Sequence, residues 1–409
     1  MGSERSESRQ RCRAEGPLPL NLLFVSSLGL PSRTVYQKRW GSEMNILFVS
    51  KLSQFARSVF PISKYVELGK QLGHRVALYG EQTNEPPALP YSLDTKMFDV
   101  AIFIVYESWD FPDMPYLAQL LDGIPRERRL IIDCCGRYND TLRVEHDFNH
   151  LEKMDGHQGW EWVEGFEAVS STILQPTQKP LRSSVRSFLW HAFDPASVVK
   201  SYATEQEAVQ AWSSPDRNRK PYAMTYVGHN WQRWTQIRTL LEGVQPLSAD
   251  FGPIAFAGSD WEKRPDWAAQ LGIQGVDVDP ELLARARVKL NPPIPFQEMI
   301  GFISQGRFSP VVQRPLFNHL GIVTNRMFAT FCADTIPLLM LPRNLVESIY
   351  GPSAEPLCID QDVKSHISQI LRNPAPYWKA VLDTRKYLAE RHTFQHRFQE
   401  LLGILEGKA

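Results

Sequence analysis

The chain has 409 residues, with 45 basic side chains against 45 acidic ones, so its formal charge is zero, and 43% of it is hydrophobic. This length suits two domains and this composition is globular, while the charge balance argues against nucleic acid or an anionic membrane as the primary partner. Five cysteines are too few and too odd in number for a disulfide scaffold and read as reduced cytoplasmic thiols.

Residues 1–17 are polar and arginine-rich, and Leu18–Leu30 is apolar, the order of an export signal. The bulky, basic PSRTVYQKRW follows where a small-residue cleavage site belongs. Met44 opens MNILFVSK as a first strand would open after an initiator, so 1–43 is expected to lie outside the fold, with an export signal as the alternative. No stretch reaches the roughly 18 apolar residues of a membrane span.

NILFV (Asn45–Val49), RVALY (Arg75–Tyr79), DVAIFIV (Asp99–Val105) and RLIID (Arg129–Asp133) are apolar along nearly their whole length. Continuous rather than alternating apolarity predicts strands buried on both faces, as in a parallel sheet. Helices are predicted over Ile62–Leu72, ended by Gly73, and over Met114–Leu121. EAVSS (Glu167–Ser171) and SFLW (Ser187–Trp190) continue this half, and SSPDRNRKP (Ser213–Pro221) marks a loop. The pattern restarts with AMTYVG (Ala223–Gly228), PIAFAG (Pro253–Gly258), VKLNP (Val288–Pro292), GIVT (Gly321–Thr324) and PLLML (Pro337–Leu341) as strands. Helices are expected over Trp231–Gly243, Pro280–Arg287 and Asn325–Ala333, then in a tail over Asp362–Arg372, Tyr377–Arg391 and Phe394–Leu405. The chain therefore reads as α/β: two tandem doubly wound, Rossmann-like domains over 44–195 and 221–375, a linker over 196–220, and helices over 376–409 packing back on the first domain. A ligand belongs in the cleft between them, at the carboxyl ends of the strands.

No G-x-G-x-x-G follows the first strand, and no P-loop, H-E-x-x-H, G-x-S-x-G or C-x-x-C occurs. These absences weigh against dinucleotide enzymes, P-loop NTPases, zincins and α/β-hydrolases. Gly228, His229 and Asn230 lie between a strand and a helix, where backbone N–H groups and the helix dipole can hold a phosphate, and Arg233 follows in the first helical turn. The bland alternative is a purely structural glycine. Thr324, Asn325 and Arg326 repeat the arrangement, with Asn325 as N-cap and Arg326 able to fork onto a diphosphate or, alternatively, to tie two surface elements together.

The first half offers Glu107, Asp110, Asp133 and His146 as proton acceptors, of which only histidine titrates near neutrality without perturbation. His146 and His150 would share a helix face, with Asp147 and His157 nearby; the alternatives there are solvated histidines or a metal site, and no metal is expected. Tryptophans such as Trp160, Trp162 and Trp231 could stack on a sugar or simply pack the core.

HAFDP (His191–Pro195), the strand ending Val227-Gly228 with Arg233 beyond it, and TNRMFATFCADTIPLLML (Thr324–Leu341) together resemble the two-Rossmann, GT-B glycosyltransferases. The spore-maturation-protein CgeB-like group, with its T-x-R-x-F-E-x-x-A-x-G-x-x-P segment, is the most similar branch, and Arg385–Leu405 resembles that group's closing helices. The resemblance implies transfer of a sugar from a nucleotide-diphosphate donor to an acceptor hydroxyl, without a cofactor or protein-bound metal. Where the family has a ribose-binding Glu this chain has Ala329, Gly321 stands eight residues before it, and Asp334 replaces a common Gly and is a candidate substitute for the Glu. The alternatives are a catalytically degenerate scaffold of the same fold, motivated by Ala329 and Gly321, and a nucleotide-sugar epimerase or hydrolase.

Overall fold

The computed structural model describes residues 43–50, 59–80, 89–106, 117–139, 159–214, 220–247, 251–266, 268, 275–360 and 362–407. His146, His150, Glu107 and Asp110 lie outside the described residues, and so does the extension before residue 43. Among the described residues no helix is long and apolar enough to cross a membrane.

The first half begins with β1 (Asn45–Val49), α1 (Val59–Leu72), β2 (Arg75–Tyr79), β3 (Tyr91–Ser92) and β4 (Val100–Val105). It continues with α2 (Leu117–Gly123), β5 (Arg129–Asp133), α3 (Gly159–Val169), β6 (Thr172–Gln175) and β7 (Val185–Ser187). The strands form one parallel sheet in the order β3-β2-β1-β4-β5-β6-β7. Every residue of β4 is buried, as its unbroken apolar run requires.

After α4 (Glu205–Trp212), the second half contains β8 (Tyr222–Val227), α5 (Trp234–Val244), β9 (Ile254–Ala257), α6 (Pro280–Arg285) and β10 (Val288–Asn291). It is completed by α7 (Met299–Ser304), β11 (Gly306–Val311), α8 (Pro315–Leu320), α9 (Asn325–Cys332), β12 (Ile336–Leu339) and α10 (Arg343–Tyr350). Its parallel sheet runs β10-β9-β8-β11-β12. In each sheet the order reverses beside the first strand of the half, at β1/β4 and at β8/β11. Both crevices open at the carboxyl ends, where doubly wound sheets bind ligands.

Three predicted strands differ. Gly321–Thr324 is no strand: Gly321 takes a left-handed conformation (φ 62°) that ends α8, and Val323 N–H donates to the Pro176 carbonyl of the first half (2.6 Å). Its apolarity serves packing between the halves. The strand is instead Gly306–Val311, where Arg307, Ser309 and Pro310 interrupt the apolar run; Pro310 lies beyond the residues registered with β8, Gly306 and Phe308. Glu167–Val169 ends α3 and the strand begins at Thr172, while the strand near Ser187 lies over Val185–Ser187, before SFLW rather than along it.

The tail comprises α11 (Val363–Arg372), α12 (Ala375–Arg391) and α13 (Phe394–Leu405). α12 packs on the second half: Trp378, Val381 and Leu388 join its core, and buried Arg385 donates to the carbonyls of Phe331 (2.8 Å) and Ala333 (2.7 Å) at the end of α9. α13 crosses to α1 of the first half. Phe398 lies 5.8 Å from Tyr65, whose ring stacks on Trp190 at 4.7 Å. Where the tail crosses, Phe193 N–H donates to the His392 carbonyl (2.7 Å) and a parallel bridge joins Phe193 to Thr393. The segment over 196–220 is not bare linker, because α4 buries Trp212, whose Nε1 donates to the Arg307 carbonyl (2.9 Å).

Candidate functional site

A cleft runs between the carboxyl ends of the two sheets. Its second-half wall is made by Gly228, His229, Arg233, Thr324, Asn325 and Arg326. Tyr106, Cys134 and His191 face it from the first half, following β4, β5 and the β7 connection.

The geometry at Gly228 depends on the absence of a side chain. Its φ is 150°, and a Cβ there would fall 2.1 Å from Arg326 Nη2. Gly228 N–H donates to the Ala257 carbonyl (2.8 Å), and Trp261 Nε1 donates to the Gly228 carbonyl (2.7 Å). The turn is thereby fastened to the loop after β9. Arg326 Nη1 donates to the Tyr226 hydroxyl (2.8 Å) and the Val312 carbonyl (3.2 Å), which sets its guanidinium against Gly228. Thr324, not Asn325, is the N-cap of α9, and its side chain makes no capping hydrogen bond; Asn325 is the first helical residue. The positive end of the α9 dipole lies at the cleft wall with Arg326 one residue inside it.

Arg233 is the N-cap of α5, one position before the helix, and its Nη1 donates to the His229 carbonyl (2.9 Å). Ser259 N–H donates to His229 Nδ1 (3.1 Å), so the neutral imidazole carries its proton on Nε2. Asn230 does not line the cleft. It is buried behind it, and its Nδ2 donates to the Val276 carbonyl (3.0 Å), which holds the loop.

Two carboxylates singled out in the sequence are occupied elsewhere. Asp133 is fully buried; its Oδ1 accepts from the backbone N–H groups of Cys135, Gly136 and Arg137, and its Oδ2 from Tyr138 N–H and Gln175 Nε2. Acidic acceptors at the start of a turn organise backbone in this way. Asp334 is buried outside the cleft wall, where its carboxylate pairs with Lys220 (3.1 Å) and accepts from the Tyr202 hydroxyl (2.8 Å). Ala329 packs with Met299, Ile303 and Ala333, so position 329 presents an apolar surface.

Sequence reasoning passed over Tyr106, Cys134 and His191 as site residues. His191 stood inside the quoted HAFDP segment, while Tyr106 and Cys134 carried no local signal beyond ending strands. Trp190 Nε1 donates to the Tyr106 hydroxyl (2.7 Å), so the buried Trp190–Tyr65 stack positions this wall. Burial pushes the Cys332 thiol up to about 12, which removes it from nucleophilic chemistry near neutral pH. Among the described residues, no group of three or more His, Cys, Asp or Glu side chains could hold a metal ion.

Two Rossmann-like domains facing each other across such a cleft form the GT-B architecture. A solved α-glucosyltransferase, in complex with UDP and a 13-mer DNA, is similar over 89% of this chain and 100% of its own, with 13% identity and a TM-score of 0.56. WaaG, a glycosyltransferase involved in lipopolysaccharide biosynthesis, is similar over 89% of this chain and 100% of its own, with 10% identity and a TM-score of 0.54. A glycosyltransferase from Rickettsia africae is similar over 90% of this chain and 99% of its own, with 8% identity and a TM-score of 0.51. No protein-family model matches the sequence, and no curated protein matches it.

Proposed function

We propose that this chain is a glycosyltransferase, moving a sugar from a nucleotide-diphosphate donor to an acceptor hydroxyl without a protein-bound metal. The observation that carries the reading is the meeting of two cationic segments at helix starts, Gly228–Arg233 after β8 and Thr324–Arg326 at the start of α9, on one cleft wall. As the bond between the sugar's anomeric carbon and the diphosphate breaks, negative charge gathers on the departing phosphate. Arg326, Arg233 and the first N–H groups of α9 are placed to stabilise that charge, a preorganised electrostatic contribution. Pro293, Ile294, Phe296 and Met299 give the cleft an apolar end suited to the flat faces of a nucleobase.

The acceptor approaches from the first half. His191 replaces Asp133 as the candidate proton acceptor there, because it lines the cleft whereas the carboxylate of Asp133 is consumed by its own turn. The CgeB-like assignment accords with the Thr324–Arg326 segment, and a cytoplasmic location accords with four buried free cysteines among the described residues. Zero net charge supports an acceptor other than a nucleic acid.

Calorimetric titration of the full chain with UDP, GDP and TDP tests the reading. Binding of one of them, weakened by Arg326→Ala, supports it. The apolar surroundings of Ala329 favour one rival, a scaffold that has lost its donor site, and no response to any of the nucleotides would favour that rival over transfer.

A further inference from the structure

One face of α9 leads from the cleft into an adjoining cavity. Asn325, Ala329 and Cys332 follow at i, i+4 and i+7, the spacing of one helix face, and all three line that cavity opposite Phe296, Met299 and Ile300. Asn325, Phe296 and Met299 also line the cleft, so the two spaces meet along the first turn of α9.

What this face presents beyond Asn325 is hydrocarbon. Ala329 is 5% exposed and packs with Met299, Ile303 and Ala333. The Cys332 thiol, pushed up to about 12 by burial, is neutral and spends its proton on the Asp194 carbonyl (3.6 Å). Asp194 brings the one carboxylate among the described lining residues, and both of its oxygens are engaged. Its Oδ2 pairs with Lys64 Nζ (2.9 Å) and accepts from Ser197 Oγ (2.6 Å), while its Oδ1 accepts from the Ala196 N–H (3.2 Å).

We propose, on the glycosyltransferase reading, that the donor sugar is carried on a 2′-deoxyribonucleoside diphosphate, whose C2′ methylene lies against Ala329 and Met299. The diphosphate sits at the start of α9 and the base at the apolar end of the cleft, so the pentose between them passes over Asn325 and then Ala329. Those two residues stand about 6 Å apart along the helix axis, one pentose width. The Asn325 amide meets the 3′-hydroxyl, which is nearer the phosphate. The next ring carbon, C2′, meets methyl and thioether. A hydroxyl there exchanges water for an apolar wall, whereas a methylene gains by the same move. Ala329 thereby becomes a specificity-determining residue for the pentose.

The test is calorimetric titration of the full chain with UDP, GDP, ADP and CDP, each against its 2′-deoxy counterpart, which isolates a single oxygen whatever the base. For the base that binds, the deoxy member should bind about tenfold more tightly, as an apolar pocket discriminates against an added hydroxyl. Ala329→Glu should reverse the order, because a carboxylate accepts from the 2′-hydroxyl. Ala329→Ser, a smaller change that keeps the test usable if the Glu variant fails to fold, should reduce the preference to about threefold or less. Equal affinity within a pair, or a tighter ribonucleotide, would overturn the proposal and leave the glycosyltransferase reading standing. A deoxy preference of unchanged size in the Ser variant would also overturn it, since the discriminating surface would then lie elsewhere. Binding of none of the eight nucleotides would remove the glycosyltransferase reading and this proposal together.

Discussion

The two walls of the cleft are built by the same device and charged differently. On the second-half side, the turns after β8 and before α9 direct guanidiniums and helical N–H groups at the opening. On the first-half side, the turn after β5 spends its carboxylate on its own backbone and leaves the cleft wall to Tyr106, Cys134 and His191. A cationic wall facing a neutral one suits a bound diphosphate opposite an uncharged hydroxyl. It also shows that an acid at a strand end is not thereby a reactive one: the number of its buried hydrogen-bond donors decides.

This contrast can be broken most forcefully at Arg326. Arg326→Ala should lower kcat/KM for transfer by about 10²–10³-fold, as loss of one preorganised donor does, with the fold retained on a thermal melt. Asp133→Asn should act in the opposite sense, costing about 2–3 kcal/mol in urea unfolding because an amide NH₂ would face backbone N–H groups. Loss of turnover with unchanged stability in Asp133→Asn would erase the distinction between the walls. Gly228→Ala should push Arg326 from its place and lower nucleotide affinity by about tenfold, measured by calorimetry.

The smallest effect concerns the crossing of the tail. Burial first, and then the Arg397 guanidinium, lowers the His392 imidazole to about 3, below the roughly 6.5 of an unfolded histidine. Between those values the unfolded chain binds the extra proton, so stability is fully present above about pH 6.5 and declines as pH falls toward 3. Unfolding at pH 5.5 should require about 1 kcal/mol less than at pH 7 through this group, a difference that His392→Gln should remove.

Much of this was legible in the sequence. β1, β2, β4 and β5, and later β9, declare themselves by nearly unbroken apolar runs, since strands covered on both faces have no solvent side to mark; β8 departs from this only at the buried Thr225, while β10, an edge strand with Lys289 at its centre, is partly exposed. β11 escaped notice because Arg307, Ser309 and Pro310 break its run, and Gly321–Thr324 imitated a strand because contact between the halves demands the same apolar residues. The cationic turns were readable because each is a short contiguous segment. The opposite wall was not, for it draws single residues from separate strand ends.

The polypeptide passes between the halves twice, once leaving Phe193 and once returning through His392 and Thr393, and a bridge binds the two passages side by side. A lone tether would allow swivelling in any direction. Two passages bonded side by side oppose twisting of one half against the other more than one strand would, and cutting the chain after Arg391 would release that restraint along with α13.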